Sequence, residues 1–396
     1  MKEDKKILGI SEDWLIKNKS IFTASEISGQ PELWSDTWKR LFHVKNDLSL
    51  FMKNILSEDN LDIVLTGAGS SAFIGEALES YFKRYTSKST RAVHSTDIVS
   101  SPEDYLYKER PTLLISFARS GNSPESVGAV DIANQVCNKV YHLIITCNER
   151  GKLASQPKKD NTFCFVLPPA SNDKSLAMTG SFTAMLLSGI LIARLNEINV
   201  LKSKVEILSS AGEYIINHHA PRIREIASLN FNRAVFLGSG PLKAIAREAH
   251  LKVQELSDGK VVGKHDSYLG FRHGPKAVID NNSLIVYHLC NDEYARRYEY
   301  DLIKEIHERR DGIFRLGIGK AGDEKEFVDE MIELPGIEVL DETMLAVCSI
   351  VPSQILGFYK SINVGLHPDE PSVSGNISRV VKGVTIYPYY SNVESL

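Results

Sequence analysis

Ser116-Phe117-Ala118-Arg119-Ser120-Gly121-Asn122-Ser123-Pro124-Glu125-Ser126 decides how this chain folds. The apolar run Thr112-Leu113-Leu114-Ile115 in front of it reads as a buried strand, and a helix opens at Ser123. A strand-to-helix turn made of hydroxyls, one glycine and an arginine suits an anion. Free backbone N–H groups and the helix dipole face the charge, and serine hydroxyls donate to it. A second such turn, Gly67-Ala68-Gly69-Ser70-Ser71, follows the strand at 62–66. Two hydroxyl-rich turns on neighbouring strands converge on one phosphate, which directs the reading toward a sugar phosphate.

Outward from these turns the chain alternates strand, turn and helix, the pattern that builds parallel α/β sheets. Strands are expected at 62–66, 91–94, 112–117, 141–147 and 162–167, with helices at 70–84, 123–137 and 177–195. The second half repeats the opening move with a strand at 233–237, the turn Gly238-Ser239-Gly240 and a helix at 241–257. Gly67 and Gly69 map onto Gly238 and Gly240 at a constant offset of 171 residues; Ile74 then matches Ile245, and Ala77 matches Glu248 less well. The length favours two or three domains. We expect a helical arm over 1–45, one α/β domain over 46–205, a second over 220–366 and a tail over 367–396. All three tryptophans lie in the arm, where Thr23-Ala24-Ser25-Glu26 fits a capping box and Pro31 opens a helix. Such an arm packs on its own domain or on a partner subunit.

Composition narrows the function classes. A net charge of −4 gives no reason to expect nucleic acid or an anionic membrane as partner, and no run of apolar residues is long enough to span a bilayer. Five cysteines lack zinc-site spacing, and several sit in apolar runs as small hydrophobes. A charged start without an apolar segment points to the cytoplasm.

Individual residues carry more. The Gly67-x-Gly69-x-x-Ala72 turn fits a loose dinucleotide fingerprint, yet the nearest acidic residue, Asp97, lies too far along the chain, and Ser70 and Ser71 favour a terminal phosphate. Arg119 either forks onto phosphate or is a solvated loop charge. Ser120 and Ser123, at the turn itself, are better placed than Ser116. Glu255 ends a helix, where the dipole would push a buried carboxyl up and fit it for proton transfer between carbons; the alternative is an exposed residue at a frayed end. His273 precedes Gly274-Pro275, and a lone histidine is usually a satisfied one. His218-His219 read as a polar linker. Lys382 sits among apolar neighbours, either as a nucleophile with a lowered pKa or as an ordinary solvent-facing lysine.

The pattern Gly-x-Gly-Ser-Ser followed by Ile-Ser-x-x-x-Ser-Gly-x-Ser, repeated more weakly, resembles the double sugar-isomerase (SIS) architecture. That resemblance implies two tandem SIS-type α/β domains, each a parallel sheet between helices in a three-layer sandwich. The stretch from Ala246 to Glu255, His273-Gly274-Pro275 and the Val381-Lys382-Gly383-Val384 segment are similar to the isomerase half of glucosamine-6-phosphate synthase. The arm around Gln30-Pro31-x-Leu33-Trp34 and the tail Pro368-Asp369-x-Pro371-Ser372 look like the AgaS type, described as galactosamine-6-phosphate deaminase/isomerases with an older label of tagatose-6-phosphate ketose/aldose isomerase.

By that resemblance Ser70, Ser71, Ser120 and Ser123 hold phosphate and Glu255 shuttles a proton between C1 and C2. His273 assists ring opening from a neighbouring subunit, implying a homodimer or higher oligomer. Lys382 falls on the synthase lysine that engages a ketose carbonyl, and the tail closes over the site. Ala118 replaces a phosphate-binding serine, a loss that Arg119 offsets. Without a glutamine-hydrolysing domain, synthesis of amino sugar from glutamine is not expected. The implied reaction is deaminating isomerisation of a 2-amino-2-deoxy-hexose 6-phosphate by protein groups, with no redox cofactor and no metal. A plain aldose–ketose isomerase and a non-catalytic sugar-phosphate sensor are the alternatives.

Overall fold

The computed structural model describes residues 6–155, 159–381 and 383–389. A short hairpin, β1 (Lys6–Ile7) and β2 (Ile10–Ser11), precedes two five-stranded parallel sheets. The first holds β3 (Asp62–Gly67), β4 (Ser89–His94), β5 (Thr112–Ala118), β6 (Val140–Thr146) and β7 (Thr162–Val166) in the order β4-β3-β5-β6-β7. The second holds β8 (Arg233–Gly238), β9 (Val262–Asp266), β10 (Ser283–His288), β11 (Phe314–Gly319) and β12 (Glu330–Glu333) in the order β9-β8-β10-β11-β12. Both sheets thus run second, first, third, fourth, fifth. The tandem SIS-type α/β architecture expected from the repeat is present.

Alternation along the strands explains the layers. Ile63, Leu65, Leu113 and Ile115 face a large central core, and Val64 and Leu114 face a smaller one under the helix Pro124–Val136. In the second sheet Ala234 and Phe236 join that same central core, while Val235 and Leu237 pack beneath the helix Glu293–Glu308. The two halves therefore share an interior. The helices Ser70–Thr86 and Pro241–Leu256 pack together inside it. The offset of 171 residues reappears here as a contact: Arg247 donates to the Glu76 carboxylate, its own counterpart in the repeat.

The arm packs on its own chain. Trp34 is fully buried and its indole donates to Thr183 Oγ1 at 2.9 Å; Trp38 donates to the Ile198 carbonyl at 2.9 Å. The expected capping box is not formed. Thr23 lies inside the helix Ile21–Ser28, whose N-cap is Ser20, and its N–H and hydroxyl both donate to Asp369 at 2.7 Å. Partners from the far end of the chain displace the local ones. His218 and His219 are not a linker either: they occupy a π-turn, Ile215–His219, between the helices Ile198–Tyr214 and Ala220–Ser228.

One helical stretch, Glu342–Asn363, reaches the length and mean hydropathy (1.3) of a membrane span, but 94% of it is buried, so its apolarity serves the core. Four of the five cysteines are buried, as their neighbours in sequence imply.

Candidate active site

In both sheets the chain leaves the first and third strands in opposite directions, and the C-terminal ends of those two strands open a crevice. Two of its walls in the first sheet are the hydroxyl-rich turns. Gly69 takes φ 57° and ψ −130° to turn β3 into the helix beginning at Ser70. Gly67 permits a close approach, because a Cβ there would stand 2.6 Å from the Ser71 backbone carbon. From β5, Gly121 (φ 63°) turns the chain into the helix Pro124–Val136. Two helix N-termini therefore face one cavity of about 530 Å³. A larger hollow of about 650 Å³ lies between the helix Gln30–Leu56 and edge strand β7, lined by Lys39, Arg40 and His43. Its one carboxylate is Asp36, and neither hydroxyl-rich turn reaches it, so we place the site in the smaller cavity.

Ser70, Ser71, Ser120 and Ser123 all line that cavity. The Ser123 hydroxyl donates to Ser126 at 2.8 Å, and Ser120 Oγ accepts the Asn122 N–H at 3.2 Å. Arg119 also lines the cavity but is neither a solvated charge nor a free fork. It is buried, and its guanidinium donates to the carbonyls of Ser175 (3.2 Å), Leu176 (3.0 Å) and Arg379 (2.7 Å). It ties a loop and the tail to the turn. The tail segment 375–381 forms the remaining wall.

Opposite the turns stands a row of charges along one face of the helix Pro241–Leu256. Lys252 Nζ lies 2.7 Å from Glu255 Oε2, 3.2 Å from Glu248 Oε1 and 3.1 Å from Ser70 Oγ. Glu255 is partly open to the cavity, while Lys252 and Glu248 are sealed in. Burial pushes Glu248 up to about 7; Lys252 opposes that rise, and Glu255 adds to it. Burial alone would lower Lys252, but Glu248 and Glu255 together hold it above its ordinary value. Sequence reasoning found Glu255 and missed that Lys252 and Glu248 work with it. Spacing of i, i+4 and i+7 on a helix was one signal. The other was the poor match of Ala77 with Glu248, where the repeats diverge.

His273 is exposed on the turn after the helix Tyr268–Phe271 and does not line this cavity. Lys382 lies outside the described residues. The second crevice is built differently. Gly240 copies Gly69 (φ 53°, ψ −130°), but Pro241 and Leu242 stand where the first turn has Ser70 and Ser71. At the neighbouring strand end, the carboxylate of buried Glu299 accepts the Cys290 N–H at 3.1 Å.

Residues 55–194 match the SIS domain family. The D-galactosamine-6-phosphate deaminase AgaS of Shewanella sp. (strain ANA-3) is 40% identical over 98% of this chain and 97% of its own. The chain belongs to the AgaS family. Among solved structures, that of a Clostridium novyi NT protein provisionally described as a tagatose-6-phosphate ketose/aldose isomerase has a TM-score of 0.94 and 42% identity, covering 97% of this chain and all of that one. The Escherichia coli tagatose-6-phosphate ketose/aldose isomerase follows at a TM-score of 0.86 and 35% identity, covering 93% of this chain and 97% of that one.

Proposed function

We propose that this AgaS-family chain converts galactosamine 6-phosphate to tagatose 6-phosphate and ammonia. One observation carries the reading. A two-turn anion cradle shares one cavity with Glu255 and the Lys252 ammonium, and buried Glu248 stands behind Lys252. Full-length similarity to a galactosamine-6-phosphate deaminase supports the substrate.

Ser70, Ser71, Ser120 and Ser123, with the two helix N-termini, hold the phosphate dianion. Once the ring is open, Glu255 takes the C2 proton, the electron pair forms the C1–C2 double bond, and the C1 carbonyl oxygen takes a proton to give an enolamine. Glu255 returns the proton to C1, leaving a C2 imine; water adds to that carbon and ammonia departs, leaving the ketose. Lys252 steadies the Glu255 carboxylate and the charge that develops beside it. His273 of a second copy completes ring opening in a homodimer, and Lys382, the residue after Val381 in sequence, takes part in the chemistry at the carbonyl. Protein groups supply every proton, without metal or redox cofactor, and the cytoplasm is where such a substrate is met.

Incubation with galactosamine 6-phosphate and assay of ammonia tests the reading. The isomerase names of the solved relatives favour one alternative, simple aldose–ketose isomerisation. Ketose formed from a 2-hydroxy aldose phosphate, with no ammonia from any hexosamine phosphate, would establish that alternative.

A further inference from the structure

Leu176 and Met178 also line the cavity, Met178 Sδ lying 3.9 Å from Ser71 Oγ, and they are carried by a loop that has no regular structure of its own. Its anchor comes from the arm, 148 residues earlier in the chain. Glu26 Oε1 accepts the N–H of Lys174 at 2.5 Å and of Ser175 at 3.3 Å, and its Oε2 contacts the Ser175 hydroxyl. Beside it, Asp173 Oδ2 accepts the N–H groups of Thr179 (2.8 Å) and Ser181 (2.9 Å) and the Ser181 hydroxyl (2.5 Å).

From this loop the bonding runs on into the cavity. The Ser175 and Leu176 carbonyls hold Arg119, Arg119 holds the Arg379 carbonyl, and the Arg379 side chain donates to Asp173 O and Asn172 Oδ1. The Leu176 N–H meets the Asp369 carbonyl at 3.1 Å, and the Asp369 side chain is held by Thr23 of the arm. Arm, loop and tail form one closed circuit around the ligand space.

We infer that Glu26 is a positioning residue for the sugar-phosphate site, acting through Ser175 on the Leu176–Met178 wall and on Arg119. The inference rests on the cavity being the substrate site, as proposed above.

Ser175 Oγ also lies 3.2 Å from the Ala177 carbonyl, so its one proton has two possible acceptors. When Glu26 is ionised, the hydroxyl turns to it and the Ala177 carbonyl loses that partner. When Glu26 carries a proton, it donates to Ser175 Oγ, and the hydroxyl proton goes to Ala177. The protonated arrangement ties the loop with one bond more. Burial, then the neighbouring Asp173 charge, pushes Glu26 up to about 7. Burial raises Asp173 as well, against the pull of Arg119. Lys174 Nζ lies 5.0 Å from the centre of the Phe22 ring, one helical turn from Glu26. The loop is therefore tightest well below about pH 7 and loosens as pH rises through it.

The test uses the full chain, ammonia release from galactosamine 6-phosphate across neutral pH, and amide hydrogen exchange of the ligand-free protein. Glu26→Ala is expected to raise KM about tenfold, with kcat changed less than about threefold, from the loss of two to three hydrogen bonds to a buried carboxyl. It should also speed exchange across 174–178. Glu26→Gln, which mimics the protonated form, should restore the low KM and remove the rise in KM through about pH 7 expected of the wild type. The substrate phosphate titrates alike in both proteins and cancels from the comparison. If Glu26→Ala does not fold, Ser175→Ala provides the same comparison. Unchanged KM and unchanged exchange in the Ala variants would overturn the inference, as would a Gln variant that keeps the wild-type pH profile. If the wild type releases no ammonia, the functional reading falls, and the exchange measurement still decides the coupling.

Discussion

Glu248→Gln isolates what it costs this fold to bury a second carboxyl behind Glu255. Glu248 is completely buried, and its folded pKa stands at about 7 against an ordinary 4.5. The fold thus favours the protonated acid. The stability this contributes is full below about pH 4.5, where both folded and unfolded chains hold the proton. It is lost as pH rises through about 7, where the folded chain must ionise too. At about 1.4 kcal/mol per tenfold change in proton affinity, the difference between 4.5 and about 7 is worth about 3 kcal/mol. Glutamine keeps the shape without the titration, and Lys252 keeps Glu255 as its partner. Urea unfolding of wild type and variant, at about pH 5 and about pH 8 and matched ionic strength, should show the variant gaining about 2 to 3 kcal/mol relative to wild type on the alkaline side, because at pH 5 the unfolded carboxyl is already mostly ionised. A stability difference that is the same at both pH values, or one that moves in favour of wild type at the higher pH, would refute the assignment of Glu248 as the raised acid.

Three further outcomes are expected. Glu255→Gln should abolish ammonia release while leaving sugar-phosphate affinity, read by calorimetry, within about threefold of wild type, because it removes the proton carrier and not the cradle; substantial turnover would remove Glu255 from the chemistry. Ser120→Ala should weaken phosphosugar binding by about tenfold, the loss of one hydrogen bond to a charged group, and leave the melting temperature unchanged. Gly67→Ala should lower the melting temperature by several degrees and impair binding, since the added methyl would sit 2.6 Å from the Ser71 backbone and force the cradle open; a variant as stable and as tight-binding as wild type would show that the turn has room to spare.

What could be read in advance was what local chemistry dictates. Apolar runs such as Leu113–Ile115 have nowhere to go but a sheet buried on both faces, and Gly69 and Gly240 mark turns that need a positive φ, so the first sheet and β8 were legible within a residue or two, whereas β9 to β12 were not named in advance. The serines were legible because a hydroxyl-rich turn at a strand end has few other uses. Residues whose partners lie far along the chain were not. Arg119 finds its carbonyls 56 and 260 residues away, and Thr23 abandons its local cap for Asp369, 346 residues on. Lys252 looked like any helical lysine until packing against the Ser70 helix sealed it between two carboxylates. His273 projects from the surface of its own chain.

The replacement of Ser70 and Ser71 by Pro241 and Leu242 in the second turn has an arithmetic result. Although the polypeptide carries the same crevice twice, saturation should stop at one equivalent of phosphosugar per polypeptide. Under the proposed function the two copies divide the labour: the first supplies the anion cradle and the second the helix that carries Glu255. Fragments severed within 200–228 should each be inert alone and regain activity only on reassociation.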